Sequence, residues 1–401
     1  MKSDWKTSTI GAACSLVTDG SHSSPKSVES GEYMVSVKDF AEYGFDFTSC
    51  RRISSEDYEI LKRNGCVPEQ DDILIGKDGA RYFEDIIIYR QPERPALLSS
   101  IAILRCNKEE ILPEFLYYTL RTPSFKQDVR DNYGSGSAIP RIILKDFKRM
   151  PVSYPSIELQ SQIIAVLSAL DQRIQTNTKV NDNLEQQARA YFQELFVDSS
   201  DSTWTLGTVS DLGAIVGGST PSKAKPEYYT EDGIAWITPR DLSINKAKFI
   251  SHGENDITEL GLKNSSASIM PEGTVLFSSR APIGYIAIAS GEVTTNQGFK
   301  SVVPKPEIGT AYVYYFLKHN LPVIEGMASG STFKEVSGST MKNVPAVIPD
   351  TETLARFNDF CVPIFIQQRI LEEQNQSLAA LRDSLLPKLM SGELDVSGIQ
   401  L

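Results

Sequence analysis

Apolar positions change period along the chain, and the change divides it. Residues 159–196 carry two interleaved seven-residue rows: Ile163, Leu170, Asn177, Leu184 and Tyr191, and Leu167, Ile174, Asn181, Ala188 and Leu195. A 3-4 spacing held over four heptads predicts a long helix with a coiled-coil seam. The stretch has no Gly or Pro to break it, and at the α-helical rise it would be about 57 Å long. A second segment repeats the pattern with Ile364, Leu371, Leu378 and Leu385, and with Leu381 and Leu389. Pro363 and Pro387 each lack a backbone donor and are expected to start or kink that helix. Asn181 and Asn375 fall at corresponding seam positions. A polar seam residue costs stability and fixes register. Each helix is expected to pack antiparallel against the other.

Between the helical segments the apolar runs are short and bounded by turn residues, as in strands. They recur in the same order twice. Trp5 to Val17 is answered by Trp204 to Val216. Gly20-Ser-His-Ser-Ser-Pro25 is answered by Gly217-Gly-Ser-Thr-Pro221, and Tyr33-Met-Val-Ser-Val-Lys-Asp39 by Ala235-Trp-Ile-Thr-Pro-Arg-Asp241. Val67-Pro-Glu with Ile73-Leu-Ile-Gly-Lys77 is answered by Met270-Pro-Glu-Gly-Thr-Val-Leu-Phe277, and Tyr117-Tyr-Thr-Leu120 by Tyr314-Tyr-Phe-Leu317. Gly134-Ser-Gly-Ser137 with Lys148 and Pro151 is answered, 194 residues on, by Ala328-Ser-Gly-Ser331 with Lys342 and Pro345. Six matches in one order establish an internal duplication. The predicted class is α+β: two mixed α/β domains with small twisted or barrel-like sheets, separated by two long antiparallel helices. The boundaries are 1–155, 156–202, 203–350 and 351–401.

The 401 residues suit two or three domains rather than one core. The net charge of −11 argues against a nucleic-acid binder until it is divided. Residues 156–202 and 350–401 each carry −4, so the larger segments are close to neutral and can still present a basic face. The acidic helical segments have a charged outer face suited to docking another subunit. No apolar run approaches the ~20 residues of a membrane span, and Met1 to Ile10 does not read as a signal peptide. Five scattered cysteines without a C-x-x-C pair fit free thiols in the cytoplasm.

Catalytic signatures are missing. The sequence has no phosphate-binding G-x-x-x-x-G-K-[ST] loop, no Asn-Pro-Pro-Tyr type tetrapeptide and no Gly-x-Ser-x-Gly elbow. His22, His252 and His319 lack metal spacing, and no metal site is expected. Asp71, Asp72 and Lys77 read as an exposed turn. A chain that binds and positions is the expectation. If the globular parts bind DNA, their polar loops supply the contacts: Arg or Lys to guanine, Asn or Gln to adenine, and Ser or Thr to phosphate. The first half offers Ser36, Lys38, Lys77, Arg81, Ser135, Ser137, Arg141 and Lys145. The second offers Thr220, Ser222, Lys223, Thr238, Arg240, Ser278, Ser279, Arg280, Asn296, Gln297, Ser331 and Lys334. Ser278-Ser-Arg280 and Thr295-Asn-Gln297 each follow an apolar strand and are expected at outward-facing strand ends. A solvated loop without a ligand remains the alternative for any one of them.

These residues resemble the specificity subunits of type I restriction–modification enzymes over the whole chain. Leu385-Leu-Pro-Lys-Leu-Met-Ser-Gly-Glu-Leu-Asp-Val396 is similar to that family's C-terminal signature. So are Gly218-Ser-Thr-Pro-Ser-Lys with Ile234-Ala-Trp-Ile-Thr-Pro-Arg-Asp-Leu242, and Ala190-Tyr-Phe with Leu195-Phe-Val-Asp198. The opening of the first domain matches least. The resemblance implies two target recognition domains, each reading half of a split double-stranded DNA site. It implies a helix pair that fixes the gap, two docked adenine-methylating subunits, and restriction subunits that cut unmodified DNA. S-adenosylmethionine, ATP and Mg belong to those partners, and this chain itself is expected to bind no cofactor. A recognition subunit of another methylation-based phage-defence system, or a repeat-built adaptor that never touches DNA, are the competing readings.

Overall fold

The computed structural model describes residues 5–134, 140–330 and 334–396. The chain forms two compact units. Unit 1 comprises Met1–Arg173 and Leu378–Leu401, and unit 2 comprises Ile174–Ser377. The long helices α1 (Ile157–Gln193) and α2 (Thr351–Met390) therefore each contribute a segment to both.

In unit 1, β1 (Lys6–Thr9) leads into β2 (Cys14–Asp19), β3 (Glu32–Val35) and β4 (Arg51–Ile53). There follow β5 (Ile73–Gly76), β6 (Ile86–Ile88), β7 (Ala96–Leu97), β8 (Ile101–Cys106) and β9 (Pro151–Tyr154). The main sheet is antiparallel in the order β2-β8-β5-β6. A smaller sheet runs β4-β3-β7, with β3 and β7 parallel, and β1 pairs with β9. Side chains alternate across a strand, and here both faces are buried. Ile73, Ile75, Ala102 and Leu104 join one core with Phe115, Ile163, Leu167, Leu386 and Leu389. Leu74, Ile101 and Ile103 join another with Val35 and Leu97. That is why β5 and β8 read as continuous apolar runs.

Unit 2 repeats the plan with β10 (Thr205–Thr208), β11 (Gly213–Gly217), β12 (Tyr229–Thr230), β13 (Ile234–Ile237), β14 (Phe249–Ile250) and β15 (Asn255–Ile257). It continues with β16 (Val275–Ser279), β17 (Ile283–Ala289), β18 (Thr294–Thr295), β19 (Lys300–Pro304) and β20 (Pro345–Ile348). Its main sheet is β11-β19-β16-β17-β14, its smaller sheet β12-β15-β13-β18, and β10 pairs with β20. The parallel pair β13·β18 answers β3·β7. Val275, Phe277, Ile288 and Val302 face one core, while Leu276, Ala287, Ala289 and Phe299 face the other. The duplication is thus one of strand order, register and sidedness. The sheets are small, as expected, and open: among the described residues neither main sheet closes into a barrel.

The helix pairing is antiparallel. In unit 2, Asn177 Nδ2 donates to Asn375 Oδ1 at 2.9 Å and Gln368 Nε2 to the Asn181 carbonyl at 3.3 Å, so partners descend along α2 as they ascend along α1. Ile163, Leu167 and Ile174 are buried, and Leu170, Asn181 and Leu184 half-buried. On α2, Leu371 is buried and Asn375, Leu378 and Leu385 are half-buried. In the seam Asn375 is bonded by Asn177, which the heptad rows also place there. Two features differ from expectation, the exposure of Leu381 and the continuity of α2. Leu381 is exposed, because Arg382 takes the inward position to meet Asp171 at 2.8 Å in unit 1. And α2 runs unbroken through Pro363 and Pro387; both rings lie on the exposed face, where the missing amide costs a hydrogen bond but causes no clash with neighbouring elements.

Unit 2 also holds a buried ionic network. Lys248, on the approach to β14, contacts Glu185 of α1, donates to Gln368 Oε1 of α2 at 2.6 Å, and lies 4.3 Å from the Phe365 ring centroid. Burial pushes the Lys248 ammonium below its ordinary range. Burial would raise Glu185, but the Lys248 and Lys318 ammonium groups outweigh it and hold the carboxyl down to about 2.

Glycine is obligatory where the first loop crosses the smaller sheet. A Cβ on Gly218 would stand 1.9 Å from the Asn296 carbonyl oxygen and 2.4 Å from that of Thr295. One on Gly20 would stand 2.3 Å from the Leu97 carbonyl oxygen. These obstacles are backbone atoms and cannot yield.

Three outcomes follow from this packing. Gly218→Ala should destabilise unit 2 by about 2 kcal/mol or more, measured by urea unfolding. Pro363→Ala should stabilise by about 1–3 kcal/mol, since a helix-interior amide is regained at an exposed position, read as a rise in denaturant midpoint. Glu185 contributes stability that is fully present above the ordinary carboxylate pKa and is lost as pH falls toward 2. Glu185→Gln should therefore lower stability at pH 7 on the order of 2–3 kcal/mol and flatten the loss between pH 4.5 and 2, followed by pH-dependent unfolding.

Candidate nucleic-acid interface

The polar residues singled out from the sequence divide into caps, buried braces and exposed groups. Ser36-Val-Lys-Asp39 and Thr238-Pro-Arg-Asp241 are reciprocal capping boxes. The Asp39 carboxylate accepts from the Ser36 amide at 2.8 Å, and the Asp241 carboxylate from the Thr238 amide at 2.7 Å. The basic–acidic pair common to both halves is thereby explained: the acid is buried to hold the turn, and Lys38 or Arg240 is left exposed. Arg240 lies 3.2 Å from Glu254.

Five residues expected to face outward are buried instead: Ser278, Ser279, Thr295, Lys77 and Asp72. Ser278 and Ser279 are 0% exposed within β16. The Ser278 hydroxyl donates to the Pro282 carbonyl at 2.9 Å, and that of Ser279 to the Gly298 carbonyl at 3.0 Å. Both braces anchor turns that leave the sheet, so they are not available at its edge. Lys77 is also buried, with Nζ 3.4 Å from Asp19 and 3.6 Å from Asp78. Asp72, read as part of the same exposed turn, is buried and paired with Arg105 through Nε at 2.8 Å and Nη2 at 2.9 Å.

Of the remaining residues, several gather at one end of each main sheet. In unit 1 the strand end of β5 carries Lys77 and Asp78, and Arg141 bridges back to Asp78. His22 Nε2 lies 3.3 Å from Asp19 beside them. Arg81 follows, exposed and 2.8 Å from Asp85, and Lys145 is exposed in the short helix after Arg141. In unit 2 the strand end of β16 carries Arg280, which bridges to Glu335, and Lys300 stands 3.7 Å from the same carboxylate. Burial holds the Lys300 ammonium below its ordinary value, with Arg280 adding to the effect and Glu335 opposing it. Thr220 hydrogen-bonds Gln297, and the Asn296 carboxamide accepts from the Gly298 amide at 2.8 Å. Ser222, Lys223 and Lys334 are exposed. Lys38, Lys145, Lys223 and Lys334 form no ion pair among the described residues, so their charges are available to an anionic ligand. Ser135, Ser137 and Ser331 lie outside the described residues.

Asp19, Asp78, Lys300 and Glu335 were not singled out from the sequence. Their signal was present: Arg141 and Glu335 are 194 residues apart, the constant offset of the last repeated block. Among the described residues no group of three His, Cys, Asp or Glu gathers as a metal site, and no helix is long and apolar enough to cross a membrane. What the two ends offer is a set of hydrogen-bond donors and acceptors of mixed sign, presented twice on one scaffold.

Comparison with known proteins finds the same duplication. A type I restriction enzyme specificity subunit of Methanocaldococcus jannaschii, MjaIX, is 40% identical over 191 residues, covering 45% of this chain and 44% of that protein, less than half its length. The HindI specificity subunit of Haemophilus influenzae is 24% identical over 371 residues, covering 73% of this chain and 80% of that one. Among solved structures, the S subunit of a type I restriction–modification system from M. genitalium superposes with a TM-score of 0.58 at 16% identity, covering 96% of both chains. The model of the type I restriction modification DNA specificity domain matches residues 2–186 and again 201–381. The chain belongs to the type I restriction modification DNA specificity family, with two copies of its domain in tandem.

Proposed function

We propose that this chain is the non-catalytic DNA-reading subunit of a type I restriction–modification enzyme. Each unit reads one half of a split double-stranded site with the end of its main sheet. The observation that carries the reading is the double presentation of one polar face on one duplicated scaffold within a family defined by DNA specificity. Direct readout needs side chains of fixed geometry at a rigid edge, and the caps and braces above supply that rigidity. The exposed Lys38, Lys145, Lys223 and Lys334, which form no ion pair among the described residues, suit phosphate contacts, which position without discriminating.

Two like surfaces recruit two copies of one partner, so two adenine-methylating subunits and additional restriction subunits complete the enzyme in the cytoplasm. S-adenosylmethionine, ATP and Mg reside on those partners. Methylation then depends on this chain for its sequence and on the partner for its chemistry.

The test is co-expression with the cognate adenine methyltransferase subunit in a methylation-deficient host, followed by mapping of methylated adenines. A bipartite motif that appears only when this chain is present is the expected result. Replacing residues 203–349 with the second domain of another family member should change one half-site and leave the other intact. Methylation independent of this chain would exclude the reading, and a change in both half-sites would exclude its modularity.

A further inference from the structure

Both units join the end of the central strand to the returning strand at the same backbone position, and there they carry an ion pair with the signs exchanged. We infer that this pair, Asp78 with Arg141 in unit 1 and Arg280 with Glu335 in unit 2, reads the orientation of one G·C base pair in each half-site. The inference rests on the DNA-reading function proposed above and adds the residues and the sign of the contact.

The equivalence is set by the main chain. The Lys77 amide donates to the Ser100 carbonyl at 2.9 Å, and the Ser279 amide to the Gly298 carbonyl at 2.7 Å. The Ile142 amide donates to the Lys77 carbonyl at 3.0 Å, and the Val336 amide to the Ser279 carbonyl at 2.9 Å. One residue on, antiparallel bridges join Asp78 to Arg141 and Arg280 to Glu335. The scaffold is the same, yet the strand-end residue is a carboxylate in one unit and a guanidinium in the other.

A brace needs only opposite charges, and nothing in this backbone prefers one polarity. Both pairs are long. Arg141 Nε is 3.9 Å from Asp78 Oδ1, which also lies 3.6 Å from Lys77 Nζ and has no hydrogen-bond partner, and Arg280 Nη1 is 3.5 Å from Glu335 Oε2. Partly exposed pairs contribute little to stability, so bracing alone does not account for the exchanged signs. All four side chains are partly exposed, between 27% and 49%.

The major-groove edge of a G·C pair presents the O6 and N7 acceptors of guanine beside the N4 donor of cytosine. A guanidinium next to a carboxylate is complementary to that edge: the first donates to guanine and the second accepts from cytosine. Reversing the polarity of the pair on a fixed backbone reverses the orientation it fits. Asp78 therefore faces cytosine while Arg141 faces guanine, and Arg280 faces guanine while Glu335 faces cytosine. The neighbours support the assignment. Lys77 is buried against Asp19 and Asp78, and so balances the acidic strand end of unit 1 from within, whereas Lys300 adds a second donor beside Arg280.

The experiment is methylated-adenine mapping with the intact chain co-expressed with its methyltransferase subunit. The double variant Asp78→Arg with Arg141→Glu preserves a pair and reverses its polarity. It should exchange C·G for G·C at one position of one half-site, with preference shifting about ten-fold or more, while the other half-site is unchanged. Arg280→Gln, which retains a side chain of similar length, should relax one position of the other half-site. Melting curves of both variants establish that they fold. An unchanged motif in both folded variants, or loss of methylation at every sequence, would overturn the assignment while leaving the DNA-reading function standing. Absence of any wild-type methylation dependent on the chain would instead remove the function itself.

Discussion

Each unit depends on burying the inner stripe of a helix pair against one face of its main sheet. In unit 2, Ala188 and Phe192 of α1, with Leu195 just after it, meet Phe357, Cys361 and Ile364 of α2 in the same core as Val275, Phe277 and Val302 of the sheet. In unit 1, Ile163 and Leu167 meet Leu386 and Leu389 in the core of Ile73, Ala102 and Leu104. Neither a two-stranded helix seam nor a four- or five-stranded sheet could bury its apolar surface alone. Burial at about 25 cal/mol per Å² rewards their joining, and the joined layers hold the strand ends in place. The smaller sheet then closes the opposite face.

That constraint explains which features are legible in the sequence. The heptad rows are visible because a buried stripe must be apolar with a 3-4 period, and the helices form where the rows run. The repeat is visible because strand order and sidedness require the same pattern twice. The polar members of the seam are not visible in the same way. Asp171, Gln368 and Arg382 are inward-facing because each finds a specific partner: Asp171 with Arg382, and Gln368 with Lys248. Pairing across elements distant in the chain leaves no periodic trace, so such residues read as solvated ones. The prolines mislead for the complementary reason. Their penalty is local, and the packing of the rest of α2 outweighs it.

The site shows the same division. Ser36 and Thr238 stand out because hydroxyl and carboxylate three residues apart is a local signal, but that signal is one of capping, and it leaves only the intervening base exposed. Ser278, Ser279 and Lys77 are misplaced by sequence reasoning because a polar residue after an apolar run looks like a strand end. In unit 2 the strand continues through both serines and in unit 1 Lys77 follows the end of β5, but in each the polar groups are satisfied from within, by the Pro282 and Gly298 carbonyls and by Asp19. The groups that do gather at the open end come from segments far apart in the chain, which only the fold brings together.

Charge is the last property the duplicated plan resolves. A chain with net charge −11 can approach DNA only if its acidity lies elsewhere than the reading face. Much of it is neutralised or diverted: Asp39 and Asp241 cap turns, Asp72 is held by Arg105, and Glu185 is held by Lys248 and Lys318. The same pairing limits the basic side, because Arg81, Arg240 and Arg280 are themselves matched to carboxylates. A face built from paired charges has little long-range pull on phosphate, but it has strong preferences among base edges, because each pair offers a donor and an acceptor side by side. On the proposed reading, affinity for the DNA backbone is then chiefly the task of the partner subunits, and this chain contributes discrimination. Divergence between its two halves can therefore proceed by exchanging signs at fixed backbone positions, with no change to the core that holds them.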